Sequence, residues 1–216
     1  MRIGTWNMEG RGTARHTEFL LRQECDVLLL TEVKHGWNLG TSYHLTEGGH
    51  EMAATKRWAA VASKRDLVEC ETPPHPASAA ATIGSTTYVS SILPWRASGE
   101  TETWKGKTHA ERTQHAVDDL RGFLADQPAL VWGGDWNLAL SGTEWAGSKA
   151  GGQAVQVLLD ELELKVQTLG LPHRIPGLIT IDHIALGGGS YPAQRVDATT
   201  LSDHDFYMVD TPDDPG

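Results

Sequence analysis

The sequence predicts an α/β fold in which two β-sheets pack against each other and helices cover their outer faces. Strand-like segments outnumber helical ones, and the early strands are apolar throughout. One hairpin is explicit, because "ASAAATIG" and "TTYVSSIL" meet at a turn formed by Gly84 and Ser85. These features favour packed sheets over a simple alternating parallel sheet.

The first part of the chain alternates between strands and one helix. "RIGTWNM" predicts a short strand, "TARHTEFLLRQE" a helix that Thr13 would cap, and "DVLLLTEV" a buried strand. The segment 35–55 is predicted to be irregular. "RWAAVASK" then resumes an extended pattern before the proline-rich turn "TPPHP" and the hairpin.

The second part begins with a long loop through Lys107. "HAERTQHAVDDLRGFLAD" predicts a helix with one apolar face, and "ALVWGGDWN" predicts a strand and its end. "GGQAVQVLLDELE" predicts a further helix, followed by strands in "GLITIDHIALG" and "HDFYMVD". We therefore expect a single domain over residues 1–210 and a disordered tail over 211–216.

The composition argues against several classes of protein. No apolar run approaches the roughly 18 residues that a membrane span requires, so no membrane association is expected. Cys25 and Cys70 lie far apart, which indicates neither a disulfide framework nor a zinc site, and the chain opens without a secretory pattern, so a cytoplasmic location is expected. The net charge of -10 argues against a broad basic surface, but it suits clustered carboxylates that bind a divalent cation.

Polar side chains follow the apolar segments at several points along the chain. Each has an ordinary structural interpretation as a turn residue, a cap or a solvent-facing acid. Together, however, they supply what a phosphoester site that uses a hard divalent cation needs, namely amides, carboxylates and a histidine on rigid strands. Mg²⁺ or Mn²⁺ is therefore the expected cofactor. The residues are Asn7, Glu32, Asp135, Asn137, Asp182, Asp203 and His204.

The ordered motifs "TWNMEG", "LLTEV", "GGDWN", "TIDHIAL" and "LSDHDF" resemble the endonuclease/exonuclease/phosphatase superfamily. This superfamily includes DNase-type nucleases, abasic-site endonucleases, inositol polyphosphate phosphatases and sphingomyelinases. The resemblance spans Trp6 to Phe206, nearly the whole chain. It implies a four-layer α/β sandwich, two packed mixed β-sheets flanked by helices, with the site at one edge of the sheets.

The resemblance also implies a metal site. Glu32 is expected to be the principal metal ligand, and Asn7 and Asp203 are expected beside or near the ion. Glu9 falls where some members have an acid, so it is expected to join the metal shell.

The catalytic residues implied by the resemblance surround this metal site. Asp135 and Asn137 would position the water and the phosphate. His204 would contact the phosphate or act on the water, and Asp182 would accept the other ring N–H of His204 and so fix its tautomer. Either Asp135 or His204 would remove the proton from the water.

One position departs from the pattern of the superfamily. Many members carry a Tyr or His that contacts the phosphate after the hairpin, but this chain has Ile92 there. Arg96 is the preferred substitute, because a guanidinium can bind phosphate oxygens bidentately. Lys105, Lys107 and His109 are further candidates, and a solvated surface role is the alternative for each of these residues.

Eight tryptophans are unusual in a chain of this length. Trp6, Trp58 and Trp132 lie in strand-like segments and are expected in the core. The others lie in loops, where they would either stack on nucleic-acid bases or anchor the loops; Trp136, within "GGDWN", is the residue of most interest for substrate binding. His183 is expected to be a packed or hydrogen-bonded histidine, since strand alternation turns it away from Asp182.

The preferred function is a divalent-metal-dependent phosphodiester hydrolase, a nuclease acting on DNA as an endonuclease or an exonuclease. The main alternative is a phosphatase or phosphodiesterase for a small soluble or lipid phosphoester. A third hypothesis, an inactive member that serves as a binding module, conflicts with the retained polar set. Nucleic acid is the expected partner, with DNA favoured; no obligate protein partner is inferred, and a monomer is the default.

Overall fold

The computed structural model describes residues 1–46 and 50–212. Short strands and a 3-10 turn at Gly40–Ser42 occupy much of the segment that was predicted to be irregular. In chain order the elements are β1 (Arg2–Asn7), α1 (Ala14–Arg22), β2 (Val27–Lys34), β3 (His44–Leu45), β4 (Glu51–Ala53), β5 (Lys56–Ser63), β6 (Val68–Glu69), β7 (Ser78–Ile83), β8 (Thr86–Ser91), α2 (His109–Ala125), β9 (Leu130–Asp135), α3 (Lys149–Glu161), β10 (Lys165–Val166), β11 (Asp182–Leu186), β12 (Ala193–Val196) and β13 (Phe206–Asp210).

The strands form two mixed sheets. The first sheet has the order β12-β13-β1-β2-β5-β3, with β4 also paired to β5, and the second has the order β10-β11-β9-β8-β7-β6. Within the first sheet β1 and β2 are parallel, whereas β13 and β5 are antiparallel to their neighbours. In the second sheet β9 runs parallel to β8 and antiparallel to β11. The predicted hairpin is confirmed as β7 and β8.

Three apolar clusters separate four layers. One cluster lies between the sheets and contains Leu29 of β2 and Val131 of β9. A second packs Leu20 of α1 against the outer face of the first sheet, and a third packs α2 and α3 against the second sheet. The order of layers is therefore helix, sheet, sheet and helices, which confirms the four-layer α/β sandwich. Burial of apolar side chains on both faces explains why β2 reads as a continuous hydrophobic run.

Polar side chains determine where the helices begin. The Thr108 hydroxyl accepts the backbone N–H of Glu111, whose carboxylate accepts the backbone N–H of Thr108, so α2 begins with a capping box. α3 begins earlier than predicted, at Lys149, because the Ser148 hydroxyl accepts the Gly151 N–H at 3.2 Å.

Two glycines allow the strand β9 to fit between its neighbours. A Cβ atom on Gly133 would lie 2.5 Å from the His183 carbonyl oxygen, and one on Gly134 would lie 2.2 Å from the Ser91 carbonyl oxygen. Gly134 also has φ +124, in the region that favours glycine. The "GG" of "GGDWN" is therefore part of a strand that places Asp135, and the turn comes after it.

Met1 and Thr211 meet beside the paired strands β1 and β13. The Thr211 N–H donates to the Met1 carbonyl at 2.8 Å. The tail predicted over 211–216 falls largely on residues 213–216, which lie outside the described residues. Among the helices of the described ranges, none is long and apolar enough to cross a lipid bilayer.

Candidate active site

Strand direction brings the predicted polar residues to one edge of the sandwich. Because β1 and β2 are parallel, Asn7 and Glu32 lie at the same end of the first sheet. In the second sheet Asp135 ends β9 and is directly paired with Asp182, which begins β11. His204 lies just before β13, which is antiparallel to β1 and therefore starts at this edge. Residues from five separate strands or strand ends thus meet in space.

The side chain of Asn7 links the two sheets. It is buried, and its Nδ2 donates to Asp135 Oδ2 at 3.0 Å and to Glu32 Oε1 at 3.3 Å. Its Oδ1 accepts the backbone N–H of Glu9 at 2.9 Å. A single amide therefore fixes a carboxylate of each sheet and the start of the loop after β1.

His204 lies between two carboxylates of the second sheet. Its Nδ1 is 2.9 Å from Asp182 Oδ2, and its Nε2 is 3.9 Å from Asp135 Oδ2. Ser202 holds the segment in place, because its hydroxyl donates to the Asn7 carbonyl at 2.7 Å and accepts the His204 N–H at 3.1 Å. The predicted contact between Asp182 and His204 is present.

For both His204 and Asp135, burial and the charge of the other residue shift the pKa in opposite directions. Burial by itself lowers the pKa of His204, but the carboxylates of Asp182 and Asp135 outweigh it and raise that pKa to about 10. Burial raises the pKa of Asp135 to about 7, against the opposing effect of the His204 charge. The arrangement therefore favours a protonated imidazole beside a carboxylate whose proton affinity is above normal.

Asn137 is held by one side-chain acceptor and one backbone acceptor. Its N–H donates to Asp135 Oδ1 at 3.1 Å, and its Nδ2 donates to the Leu93 carbonyl at 3.0 Å. Its φ of 54° lies in the left-handed region, as do those of Glu9 at 54° and Glu32 at 49°. Such conformations cost roughly 1 to 3 kcal/mol each and are common at functional sites. The strain thus coincides with three of the residues assigned to the site.

The acidic residues of the first sheet form a separate rim. Asp203 is exposed, and its N–H donates to Glu9 Oε2 at 3.2 Å. In the described ranges, the group of three side chains whose ligand atoms lie within 4.8 Å of one another consists of Asp135, Asp182 and His204. Glu32 and Asp203 were both expected to lie near Asn7, and of the two it is Glu32 whose carboxylate accepts from the Asn7 amide. The assignment of Asp203 and Glu9 to the metal shell stays a prediction.

The donor atoms suit a hard divalent cation. The cluster offers carboxylate and amide oxygens, and Asp182 Oδ1 is buried without a hydrogen-bond partner in the described part of the chain. Asp135, Asp182 and Glu32 also place three carboxylates around the Asn7 amide, opposed by the imidazole of His204 and the ammonium of Lys56. A cation at this edge would meet both the unpaired oxygen and the excess of negative charge.

The structure places two of the three predicted substrate-binding side chains inside the protein. Trp136 is fully buried, with its ring centroid 4.2 Å from that of Trp132, so its expected contact with a substrate is corrected to a packing role. His109 is also buried, and its ring nitrogens lie 2.8 Å from the Ser148 hydroxyl and 2.8 Å from the Pro94 carbonyl. Both nitrogens are thus engaged within the protein, which joins α2 to the loops beside it.

The loop after the hairpin contains two residues singled out in the sequence, Ile92 and Arg96. Ile92 is buried in the cluster beneath α2 and α3. Arg96 is exposed, and its Nε donates to the Gly147 carbonyl at 2.9 Å, so it joins two loops and its contact with phosphate stays a prediction. Trp104 is buried as well, which supports loop anchoring over base stacking at that position.

Lys56 is the site residue that the sequence did not reveal. It begins β5, and its Nζ contacts Glu32 Oε2. The available signal was topological, because a strand antiparallel to β2 must begin where β2 ends. His183, in contrast, is buried and lies 2.7 Å from the Leu138 carbonyl, as expected of a packed histidine.

Comparison with solved structures identifies the same fold in nucleic-acid enzymes. An AP endonuclease from Archaeoglobus fulgidus has a TM-score of 0.69 at 15% identity, covering 97% of this chain and 98% of the other. A 3′ phosphatase from Neisseria bound to a product DNA hairpin has a TM-score of 0.67 at 18% identity, covering 98% and 99%. The endonuclease domain of the telomere-specific non-LTR retrotransposon TRAS1 has a TM-score of 0.65 at 16% identity, covering 96% of each chain.

Sequence comparison gives the family directly. No significant match was found among curated proteins. The profile of the Endonuclease/Exonuclease/phosphatase family, in contrast, matches residues 4–204, a span that holds every side chain of the candidate site. The chain therefore belongs to the endonuclease/exonuclease/phosphatase family.

Proposed function

We propose that this protein is a divalent-metal-dependent phosphodiesterase that hydrolyses DNA. Members of its family are hydrolytic phosphoesterases. The observation that carries the proposal is the connected set formed by Asn7, Asp135, Asp182 and His204 at the edge of the sandwich. The similarity of this protein's fold to those of a DNA-bound 3′ phosphatase and an AP endonuclease supports DNA as the substrate.

Metal binding is assigned to the part of the site around Glu32. Glu32 and Asn7 would hold the ion, with Asp203 and Glu9 at the exposed rim. A bound Mg²⁺ or Mn²⁺ would neutralise the charge that develops on the phosphate oxygens. The residues Asp135, Asn137, Asp182 and His204 would then act on the phosphate and the attacking water.

The proton balance assigns different roles to His204 and Asp135. Because its pKa is raised to about 10, His204 would be protonated at neutral pH and would donate from Nε2 to a phosphate oxygen. Asp182 holds Nδ1 of the ring and stabilises the positive charge. With a pKa raised to about 7, Asp135 is the better acceptor for the proton of the attacking water. We therefore assign general-base catalysis to Asp135.

Nucleic-acid binding by this chain would not rest on a basic surface. The net charge is -10, and affinity for duplex DNA depends strongly on Lys and Arg contacts with phosphates. Weak binding with a shallow salt dependence is therefore expected, since few counterions would be released from the DNA. The same charge keeps a small soluble or lipid phosphoester open as an alternative substrate.

A substrate panel tests the proposal. Purified protein would be incubated with Mg²⁺ or Mn²⁺ and with plasmid DNA, single-stranded DNA, RNA or a chromogenic phosphodiester. Glu32→Gln and His204→Ala should abolish turnover. His115→Ala, on the exposed face of α2, is the matched control and should retain it. Turnover of the chromogenic ester alone would favour the small-substrate alternative, and equal inertness of wild type and variants on every substrate would leave only the binding-module hypothesis.

A further inference from the structure

The side chain of Lys56 occupies a position at the proposed metal site that no assigned role explains. β5 runs antiparallel to β2, and Lys34 is paired with Lys56 in the register of the two strands. The first residue of β5 therefore stands at the edge where Glu32 is displayed. Its Nζ contacts Glu32 Oε2, and the side chains are only 25% and 20% exposed, so the ion pair is partly shielded from solvent.

The loop after β1 is shaped to admit this lysine. A Cβ atom on Gly10 would lie 2.8 Å from Lys56 Cδ, so the bare backbone of Gly10 makes room for the aliphatic stem. The Gly10 N–H donates to the Glu32 carbonyl at 2.8 Å, which fixes the loop against β2. The contact between Lys56 and Glu32 is thus built into the local packing, unlike that of a freely rotating surface lysine.

Both oxygens of the Glu32 carboxylate are engaged. Oε1 accepts from the Asn7 amide at 3.3 Å, and Oε2 contacts the Lys56 ammonium. A divalent cation that binds Glu32 must share or replace one of these contacts. Like charges repel strongly at such short range in a partly shielded site, so the cation and the ammonium compete for the carboxylate.

We propose that Lys56 is an exchangeable counter-cation for Glu32. The Lys56 ammonium lowers the affinity of the site for a divalent metal and is displaced when the metal binds. This inference rests on the proposed function, because it takes Glu32 as the metal ligand. In the metal-free protein the ammonium holds the carboxylate in its ligand orientation. On metal binding the ammonium end would turn away from Glu32 while the stem stays beside Gly10, and its charge would become available at the rim where the phosphate arrives. Lys56 is therefore a positioning residue that acts through Glu32.

The test measures binding of Mn²⁺ without any substrate. Free Mn²⁺ would be followed by electron paramagnetic resonance while wild-type protein, Lys56→Gln, Lys56→Arg and Lys64→Gln are titrated. Lys64→Gln is the matched control, because Lys64 follows the opposite end of β5, lies 3.6 Å from the Asp26 carboxylate, and its loss removes the same charge. Folding of each variant would be checked by thermal unfolding in EDTA.

The expected result is specific to Lys56. Loss of a partly shielded ion-pair partner should make Lys56→Gln bind Mn²⁺ about tenfold more tightly than wild type. Lys64→Gln should stay within about twofold, since surface charges are screened. Lys56→Arg keeps the charge and can bind the carboxylate with a planar fork, so it should bind Mn²⁺ no more tightly than wild type.

The outcomes separate this inference from the proposed function. Equal affinity of wild type and Lys56→Gln, or an equal gain in Lys64→Gln, would overturn the counter-cation role while leaving metal-dependent hydrolysis in place. Failure of the wild-type protein to bind Mn²⁺, or undiminished binding by Glu32→Gln, would instead overturn the metal site itself, and both proposals with it.

Discussion

The contribution of His183, which is fully buried, to the stability of this protein should fall on mild acidification. Its Nε2 lies 2.7 Å from the Leu138 carbonyl, and its Nδ1 lies 3.3 Å from the Thr168 hydroxyl. Because a carbonyl only accepts, Nε2 carries the proton and Nδ1 accepts from the hydroxyl. A second proton would place a charge in the core, and burial accordingly lowers the pKa of His183 to about 4.

The sign and size of the effect follow from linkage. In the unfolded chain a histidine has a pKa of about 6.5, so between that value and about 4 the unfolded state binds more protons than the folded state. The contribution of His183 to stability therefore falls as the pH falls through this window. At about 1.4 kcal/mol per pKa unit the full loss is on the order of 3 kcal/mol, of which about 2 kcal/mol is lost between about pH 7 and about pH 5.

Urea unfolding followed by tryptophan fluorescence, in EDTA at these two pH values, measures the loss. His183→Gln can still donate to the Leu138 carbonyl but cannot be protonated, so its free energy of unfolding should fall by about 2 kcal/mol less than that of wild type. His115→Gln, exposed on α2, should behave as wild type. His75, whose pKa burial lowers to about 4, and Asp135, whose pKa burial raises to about 7, are present in all three proteins, so their effects cancel. Equal pH dependence in wild type and His183→Gln would refute the reasoning.

Three further predictions test the fold and the site. Gly134→Ala should destabilise the protein by more than about 3 kcal/mol, because its Cβ would meet the Ser91 carbonyl at 2.2 Å at a φ of +124. Gly122→Ala, which has open space around it in helix α2, should stabilise the protein by about 0.5 to 1 kcal/mol. Thermal unfolding compares the two variants. Asp182→Asn should reduce turnover by about 10²- to 10⁴-fold with circular dichroism unchanged, since the neutral amide lacks the negative charge that stabilises the protonated His204 ring at 2.9 Å; activity within twofold of wild type would contradict that role. Trp136→Ala should cost about 3 to 5 kcal/mol of stability, while the milder Trp136→Phe should leave the KM for DNA unchanged; a raised KM in a folded Trp136→Phe would restore a substrate contact.

Much of the fold was predictable because its elements carry local signals. The apolar run of β2, the turn at Gly84 and the threonine at the N-cap position of α1 each reflect short-range physical chemistry. The edge strand β12 was not predicted, since its residues are half-buried at best and carry little hydrophobic pattern. The short β3 and β4 were missed for a similar reason, because they form only by pairing with β5.

The site shows the same division at the level of single residues. Asn7, Asp135 and His204 could be selected from the sequence because each follows or precedes a strand, and strand direction then brings them together. Trp136 lies between two polar residues of the site, yet alternation along the chain turns it into the core. His109 was chosen for its proximity in sequence, but its two hydrogen bonds direct it toward protein groups.

The sequence by itself determined which polar side chains stand at strand ends and which family pattern they follow, since both depend on residue type and order along the chain. Only the tertiary structure decided how these side chains pair. Asn7 and Asp135 are 128 residues apart, and their hydrogen bond exists because the two sheets stack with this edge in common. The contact of Lys56 with Glu32 likewise depends on strand direction and on the bare backbone of Gly10. Contacts of this kind are set by packing across the sandwich, for which local sequence carries no signal.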